Sequence, residues 1–231
     1  MNINVYLNEF LFGLYPYICL AIFLLGSLIR FDREQYTWKS DSSQLLRHGQ
    51  LRLGSNLFHV GILIIFFGHL VGLLTPMAVW HALGVTASAK QLLAIIAGGI
   101  AGIACLVGLL LLIHRRLAEP RILANTRVMD LVVLFLLLAQ LLLGLASITI
   151  SFQHLDGGEM TKFMMWAQHI VTFRGGAADF VADVSIIFKL HLVLGMTIFL
   201  VFPFTRLVHV WSGFAAVTYL FRPYQIVRGR D

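Results

Sequence analysis

The chain has 231 residues, of which 59% are hydrophobic and 12% charged, and its mean hydropathy is +0.86. That is more apolar surface than one soluble domain of this length can bury, so a soluble enzyme is excluded and a bilayer is the expected solvent. The formal charge of +6 is carried by basic residues that flank apolar runs without any nucleic-acid motif. It therefore reads as topology determinants and lipid headgroup contacts.

A hydrocarbon core about 30 Å thick takes roughly 20 apolar helical residues. Runs at 10–29, 56–79, 91–113, 128–150 and 184–211 meet that length, and they predict an all-α integral membrane protein of five transmembrane helices, one domain over 1–231. The first run lacks a basic leader and contains Tyr15-Pro16-Tyr17 rather than ending at a small-residue cleavage site, so it is expected to be retained as span one. Arg30, Arg33, Lys39, Arg47 and Arg52 lie between spans one and two. Arg115, Arg116, Arg121 and Arg127 lie between spans three and four, and Arg206, Arg222, Arg228 and Arg230 lie toward the end of the chain. The other side has only Lys90, Lys162, Arg174 and Lys189. Excess Lys and Arg mark the cytoplasmic face, which predicts the N-terminus outside and the C-terminus in the cytoplasm. The connection 151–183 includes a mixed apolar and polar stretch at 161–173, suited to a short amphipathic helix along the outer surface.

Four histidines fall inside the predicted spans, His59 and His69 in span two and His191 and His209 in span five. Imidazoles are costly in lipid, so they face the bundle interior and serve an ion, a proton path or a cofactor. Span two runs outward and span five inward. At 1.5 Å per residue, His69 and His191 fall at ~18 and ~20 Å from the inner boundary. His59 and His209 both lie near that boundary with an apparent mismatch of ~10 Å. The lean of side chains toward the helix N-terminus and a kink at Pro203 narrow it.

His59 and His69 lie ~15 Å apart along one helix, too far to bind both faces of one iron. Each iron must therefore be clamped between helices: His69 with His191 at an outer haem, His59 with His209 at an inner haem. With no Cys-x-x-Cys-His run, and with Cys19 and Cys105 in separate spans, such haems are held noncovalently, as in b-type cytochromes. A single intramembrane histidine is often a structural hydrogen-bonder, and a histidine chain also suits a proton relay in a transporter. Four of matching depth in antiparallel order favour ligation.

Gly61, Gly68, Gly72 and Gly195 lie near these histidines, where a missing side chain suits either a flat macrocycle or close helix packing. The run from Gly98 to Gly102 in span three reads as packing. Arg206, three residues before His209, shares its helix face and suits either a haem propionate or membrane anchoring. His48, His81, His114, His154 and His169 sit in loops or at span ends and are not ligand candidates.

Several runs resemble those of the gamma subunit, a dihaem cytochrome b, of membrane-bound respiratory nitrate reductases. They are Tyr15-Pro16-Tyr17, Gln35-Tyr36-Thr37-Trp38, Ser55-Asn56-Leu57-Phe58-His59, Gly68-His69, Leu74-Thr75-Pro76, His191-Leu192-Val193-Leu194-Gly195-Met196, and Pro203-Phe204 leading to Arg206-Leu207-Val208-His209. The resemblance covers nearly the whole chain and implies the same ligand pairs for two haem b groups. It also implies oxidation of a membrane quinol near the outer haem, with two protons released outside. Electrons then pass through the inner haem to a cytoplasmic iron–sulfur beta subunit, and a molybdenum-containing alpha subunit reduces nitrate. The implied location is the bacterial cytoplasmic (inner) membrane.

By position alone Lys90 is a snorkelling interfacial lysine; the resemblance instead implies that Lys90, His69 and Gly68 bind quinol. A dihaem cytochrome b serving another oxidoreductase would share the histidines. A non-haem transporter or membrane anchor would not need them, and the internal repeats or paired broken helices of transporters are not evident here.

Overall fold

The apolar runs form five helices long and apolar enough to cross a membrane, Ile3–Arg33, Gly49–Leu74, Ala87–Ala118, Val128–Ser151 and Ile186–Phe204. The computed structural model describes residues 3–34, 38 and 48–212, and among them there is no strand. Lys39, Arg47, Arg222, Arg228 and Arg230 of the charge pattern, and Gln35, Tyr36 and Thr37 of the resemblance, lie outside the described residues. The ends of the helices differ from the hydropathy boundaries for local reasons.

Span one starts upstream of residue 10 and contains a π-turn at Phe10–Leu14 before continuing as Tyr15–Arg33. The helix of span two is described over His48–Leu74, with Gln50, Arg52, Ser55 and Asn56 in it ahead of the apolar stretch. It stops at Leu74 rather than at residue 79. Pro76 has no N–H to donate and disfavours helical geometry at Thr75, so a separate short helix, Met77–Ala82, follows. Span three starts at Ala87, where the Thr86 hydroxyl accepts the Ala89 N–H at 3.2 Å. Lys90 thus lies in its first turn rather than before it.

The amphipathic stretch forms the helix Gly158–Val171, entered through Gly157 in the left-handed region at φ 82°. Its Met164, Trp166, Ala167 and Ile170 are buried. The Trp166 indole donates to the Phe12 carbonyl in the π-turn at 2.9 Å, which ties this helix to span one. A core of Phe12, Cys19, Trp166, Val181, Phe188 and Met196 closes that end of the bundle.

Span two packs most extensively on span three, three on four, four on five, and five on one. Small residues permit the closest of these contacts. A Cβ added to Gly61 would stand 2.7 Å from the Ala101 carbonyl oxygen, and one on Gly102 would stand 2.7 Å from Leu145 Cδ2. Gly61 therefore serves packing, and so does Gly102 of the glycine-rich run. Both cysteines are buried as free thiols. The spans form an arc in the order two, three, four, five, one, and extensive packing does not join span two to span five.

Candidate functional site

Across the gap between spans two and five, the structure brings together His69 with His191 and His59 with His209. Their ring centres are 6.2 Å and 6.3 Å apart. Two metal–nitrogen bonds of about 2.0 Å, extended by the depth of each ring, require a separation of about 6 Å. Both pairs meet that requirement.

Each imidazole is oriented through its Nδ1. His59 Nδ1 donates to the Ser55 carbonyl at 2.8 Å, His69 Nδ1 to the Ile65 carbonyl at 2.8 Å, and His209 Nδ1 to the Arg206 carbonyl at 2.7 Å. His191 Nδ1 donates to the Gln140 carbonyl on span four at 3.2 Å. A carbonyl oxygen only accepts, so the proton resides on Nδ1 and the neutral ring keeps its lone pair on Nε2. Four rings in one tautomer leave Nε2 as the remaining nitrogen, approached at His191 by the Gln140 amide at 3.4 Å, and form a donor set suited to two bis-imidazole metal centres. Among the described residues no cluster of three or more His, Cys, Asp or Glu side chains forms a metal site, and a metal held inside a macrocycle needs only two axial side chains.

The depth mismatch expected for His59 and His209 is removed by the local backbone. The His59 and His209 rings stand 6.3 Å apart, because span five is not regular as far as His209. Its α-helix ends at Val201, and short 3-10 turns at Phe202–Phe204 and Arg206–Val208 follow, separated by extended Thr205 at φ −122°, ψ 177°. Pro203 lies in the first of these turns, as the kink expectation required.

Span four contributes residues that sequence reasoning passed over. Besides its carbonyl, Gln140 places its side-chain amide 3.4 Å from His191 Nε2, and its buried Oε1 has no hydrogen-bond partner among the described residues. A Cβ on Gly144 would stand 3.0 Å from His191 Cε1, and one on Gly195 would stand 3.0 Å from Gln140 Nε2. Gly144 thus makes room for the imidazole and Gly195 for the glutamine. A signal for Gln140 was available: it is the single amide side chain of span four, set between the apolar runs 131–139 and 141–146.

Lys90 does not snorkel to solvent: it is 3% exposed. Its Nζ donates to the Gly72 carbonyl at 2.5 Å and to Met164 Sδ at 2.9 Å, and lies 5.4 Å from the centre of the Trp80 ring. Gly72 is one helical turn beyond His69, so the ammonium stands at the end of the gap that holds the His69–His191 pair. A buried cation in the first turn of a helix opposes the helix dipole, and a thioether and a ring face are weak partners for it. Beside it, a Cβ on Gly68 or Gly72 would meet nothing among the described residues within 4 Å, so span two offers an open surface there.

At the other end, Asp130 binds Arg116 Nη1 at 3.2 Å and lies 3.4 Å from Arg206 Nε. Arg206 is therefore engaged with span four, and the three largely buried groups carry one net positive charge beside His209. Among the remaining histidines, His114 Nδ1 accepts from Gln50 at 3.0 Å, while His154 and His169 donate to the Ile150 and Gly175 carbonyls. His81 lies in the last turn of the short helix after span two, and the His48 side chain lies outside the described residues.

Comparison with known proteins gives a consistent result. The family described as nitrate reductase gamma subunit matches residues 8–230. The respiratory nitrate reductase 2 gamma chain of Escherichia coli (strain K12) is 52% identical over 227 residues, covering 97% of this chain and 98% of that one. The respiratory nitrate reductase 1 gamma chain of the same organism is 52% identical over 225 residues, covering 97% and 99%. The nitrate reductase gamma chain of Bacillus subtilis (strain 168) is 38% identical over 224 residues, covering 97% and 99%.

Proposed function

Because the chain belongs to the nitrate reductase gamma subunit family, we propose that it is the quinol-oxidising dihaem cytochrome b of a respiratory nitrate reductase, passing electrons through two b haems to cytoplasmic iron–sulfur beta and molybdenum alpha subunits. The observation that carries this reading is the facing of two imidazole pairs, at 6.2 Å and 6.3 Å, with every Nδ1 tied to a carbonyl. His69 and His191 hold the outer haem, and His59 and His209 the inner one. A haem b in each place supplies a one-electron iron couple.

The chain lies in the bacterial inner membrane with its N-terminus outside and its C-terminus in the cytoplasm, in keeping with the excess of Lys and Arg at one end of the bundle. Quinol enters from the lipid at the outer end, over the open surface at Gly68, next to His69. Lys90 turns its ammonium from the Gly72 carbonyl and Met164 sulfur to a quinol oxygen, and so orients the headgroup. Quinol loses two electrons and two protons and leaves as quinone, and both protons are released outside. The carbonyl bonds at Nδ1 hold the imidazoles in the ligating tautomer and raise their basicity. Electrons move inward while the protons stay outside, which separates charge across the membrane. Each elementary charge carried stores about 2.3 kcal/mol per 100 mV of membrane potential.

The test is a dithionite-reduced minus oxidised spectrum of the purified chain, with haem quantified per polypeptide and then challenged with a quinol. Two b-type haems reducible by quinol are expected. A folded, membrane-inserted chain without haem would overturn the proposal.

A further inference from the structure

Span one supplies no histidine to either pair, yet it holds the broken end of span five. The 3-10 turns around Pro203 free carbonyls that a continuous helix would have bonded internally. The Arg30 guanidinium, near the end of span one, donates through Nη1 to the Pro203 carbonyl at 2.6 Å and to the Thr205 carbonyl at 2.7 Å. One turn earlier, Gly26 lets the proline ring approach: a Cβ there would stand 2.9 Å from Pro203 Cγ. Ser27 accepts the Trp211 indole N–H at 3.2 Å, and the Phe23 ring lies 4.9 Å from Phe202 and 5.3 Å from Trp211. Inside the break, the buried Thr205 hydroxyl donates to the Phe202 carbonyl at 2.9 Å and accepts the Leu207 N–H at 3.2 Å.

All of these contacts fall on the segment 202–211 that carries His209. Arg30 fastens residues 203 and 205, the following turn carries the Arg206 carbonyl, and that carbonyl orients His209 through Nδ1. We propose that Arg30 is a positioning residue for the inner histidine pair, clamping the break in span five so that His209 faces His59. This deepens the haem reading of the site and rests on it. A guanidinium suits the task because it stays charged and presents its donors in a rigid fork. Hydrogen bonds from a charged donor exceed neutral ones in strength.

The test uses Arg30→Gln in the full chain, inserted in membranes and compared with wild type. Haem per polypeptide, the two midpoint potentials and the low-spin EPR signals of both haems are measured. His209→Leu identifies which signal belongs to the inner centre. Arg30→Gln is expected to shift the inner potential and EPR signal, or to lose that haem, while the outer centre keeps wild-type values. Arg30→Lys, which retains the charge and a donor, is expected to restore part of the shift. If Arg30→Gln does not accumulate in the membrane, Gly26→Ala gives the same readout without changing a charge, by pressing on Pro203. Unchanged signals in both variants, or equal shifts at both centres, would overturn the inference. A wild-type chain lacking two haems would instead overturn the proposed function, so the two failures are distinguishable.

Discussion

Replacing Gly108 with alanine tests whether the seam between spans two and three sets the position of His59. A Cβ at residue 108 would stand 2.7 Å from the Gly54 carbonyl oxygen and 2.9 Å from Phe58 Cα, and nearer still to Phe58 N. Ordinary contact begins at 3.4 Å, so the first of these alone parts the helices by at least 0.7 Å. All three atoms are backbone and cannot swing aside. Overpacking of this kind costs about 1–3 kcal/mol, and contact with backbone belongs in the upper half of that range. Alanine returns up to about 1 kcal/mol of helix propensity, leaving a net loss of about 1–2 kcal/mol. At about 2–4 °C per kcal/mol for a chain of this size, the midpoint of thermal denaturation falls by about 2–8 °C.

Gly98 lies on the same helix, and a Cβ there would meet nothing within 4 Å, so Gly98→Ala should be neutral or slightly stabilising. The assay is the fraction of monodisperse, haem-containing protein that survives graded heating, read by size exclusion with absorbance at the haem band. Because His59 follows Phe58 directly, the inner haem should be the first lost. Equal stability and full haem in the two variants would refute the claim that this seam holds the ligand in place.

Three further outcomes are expected. His69→Leu or His191→Leu should remove one of the two haems and stop quinol oxidation while the other haem remains; both haems with normal quinol activity in either variant would break the pairing. Lys90→Ala should raise the KM for quinol about tenfold or more, the loss of a charge-assisted hydrogen bond worth roughly 1.5–3 kcal/mol, with haem content unchanged. Titration of initial rate against quinol concentration, alongside a haem assay, checks it. Gln140→Leu leaves the backbone carbonyl that orients His191 but removes the amide beside Nε2. It should shift the outer midpoint potential alone, as read by potentiometric titration.

The five spans were legible because a membrane helix is written in a contiguous run, and the facing of the two histidine pairs because topology converts residue spacing into depth. Lys90 was misplaced by position alone: hydropathy marks where the apolar stretch begins, whereas the Thr86 cap marks where the helix begins. The kink at Pro203 was readable from one residue, but its two 3-10 turns and the clamp from Arg30 were not. They depend on which distant donor meets the freed carbonyls, and Arg30 lies 173 positions from Pro203. Gly144 and Gly108 escaped notice for the same reason. Their importance lies in what touches them, and a glycine in a span carries no mark of its neighbour.

Spans two and five carry the four paired histidines yet do not pack extensively on each other, so the distance across the gap must be fixed by the remaining helices. His59 is held from span three, through the seam at Gly54, Gly61 and Gly108. The end of span two beyond His69 is held by Lys90 at the Gly72 carbonyl and by Gln168, which donates to the Leu73 carbonyl at 3.0 Å. His191 is oriented from span four by Gln140 and given room by Gly144. The chain around His209 is held from span one by Arg30, Gly26 and Ser27. Each of the four histidines thus has its own support, and no two share the same supporting contacts. In the proposed dihaem reading, such separate support lets one iron be tuned through its imidazole surroundings without disturbing the other. Two centres passing electrons in series, as that reading requires, need such independence, since a potential set for accepting from quinol is not the potential best suited to delivering to a partner subunit.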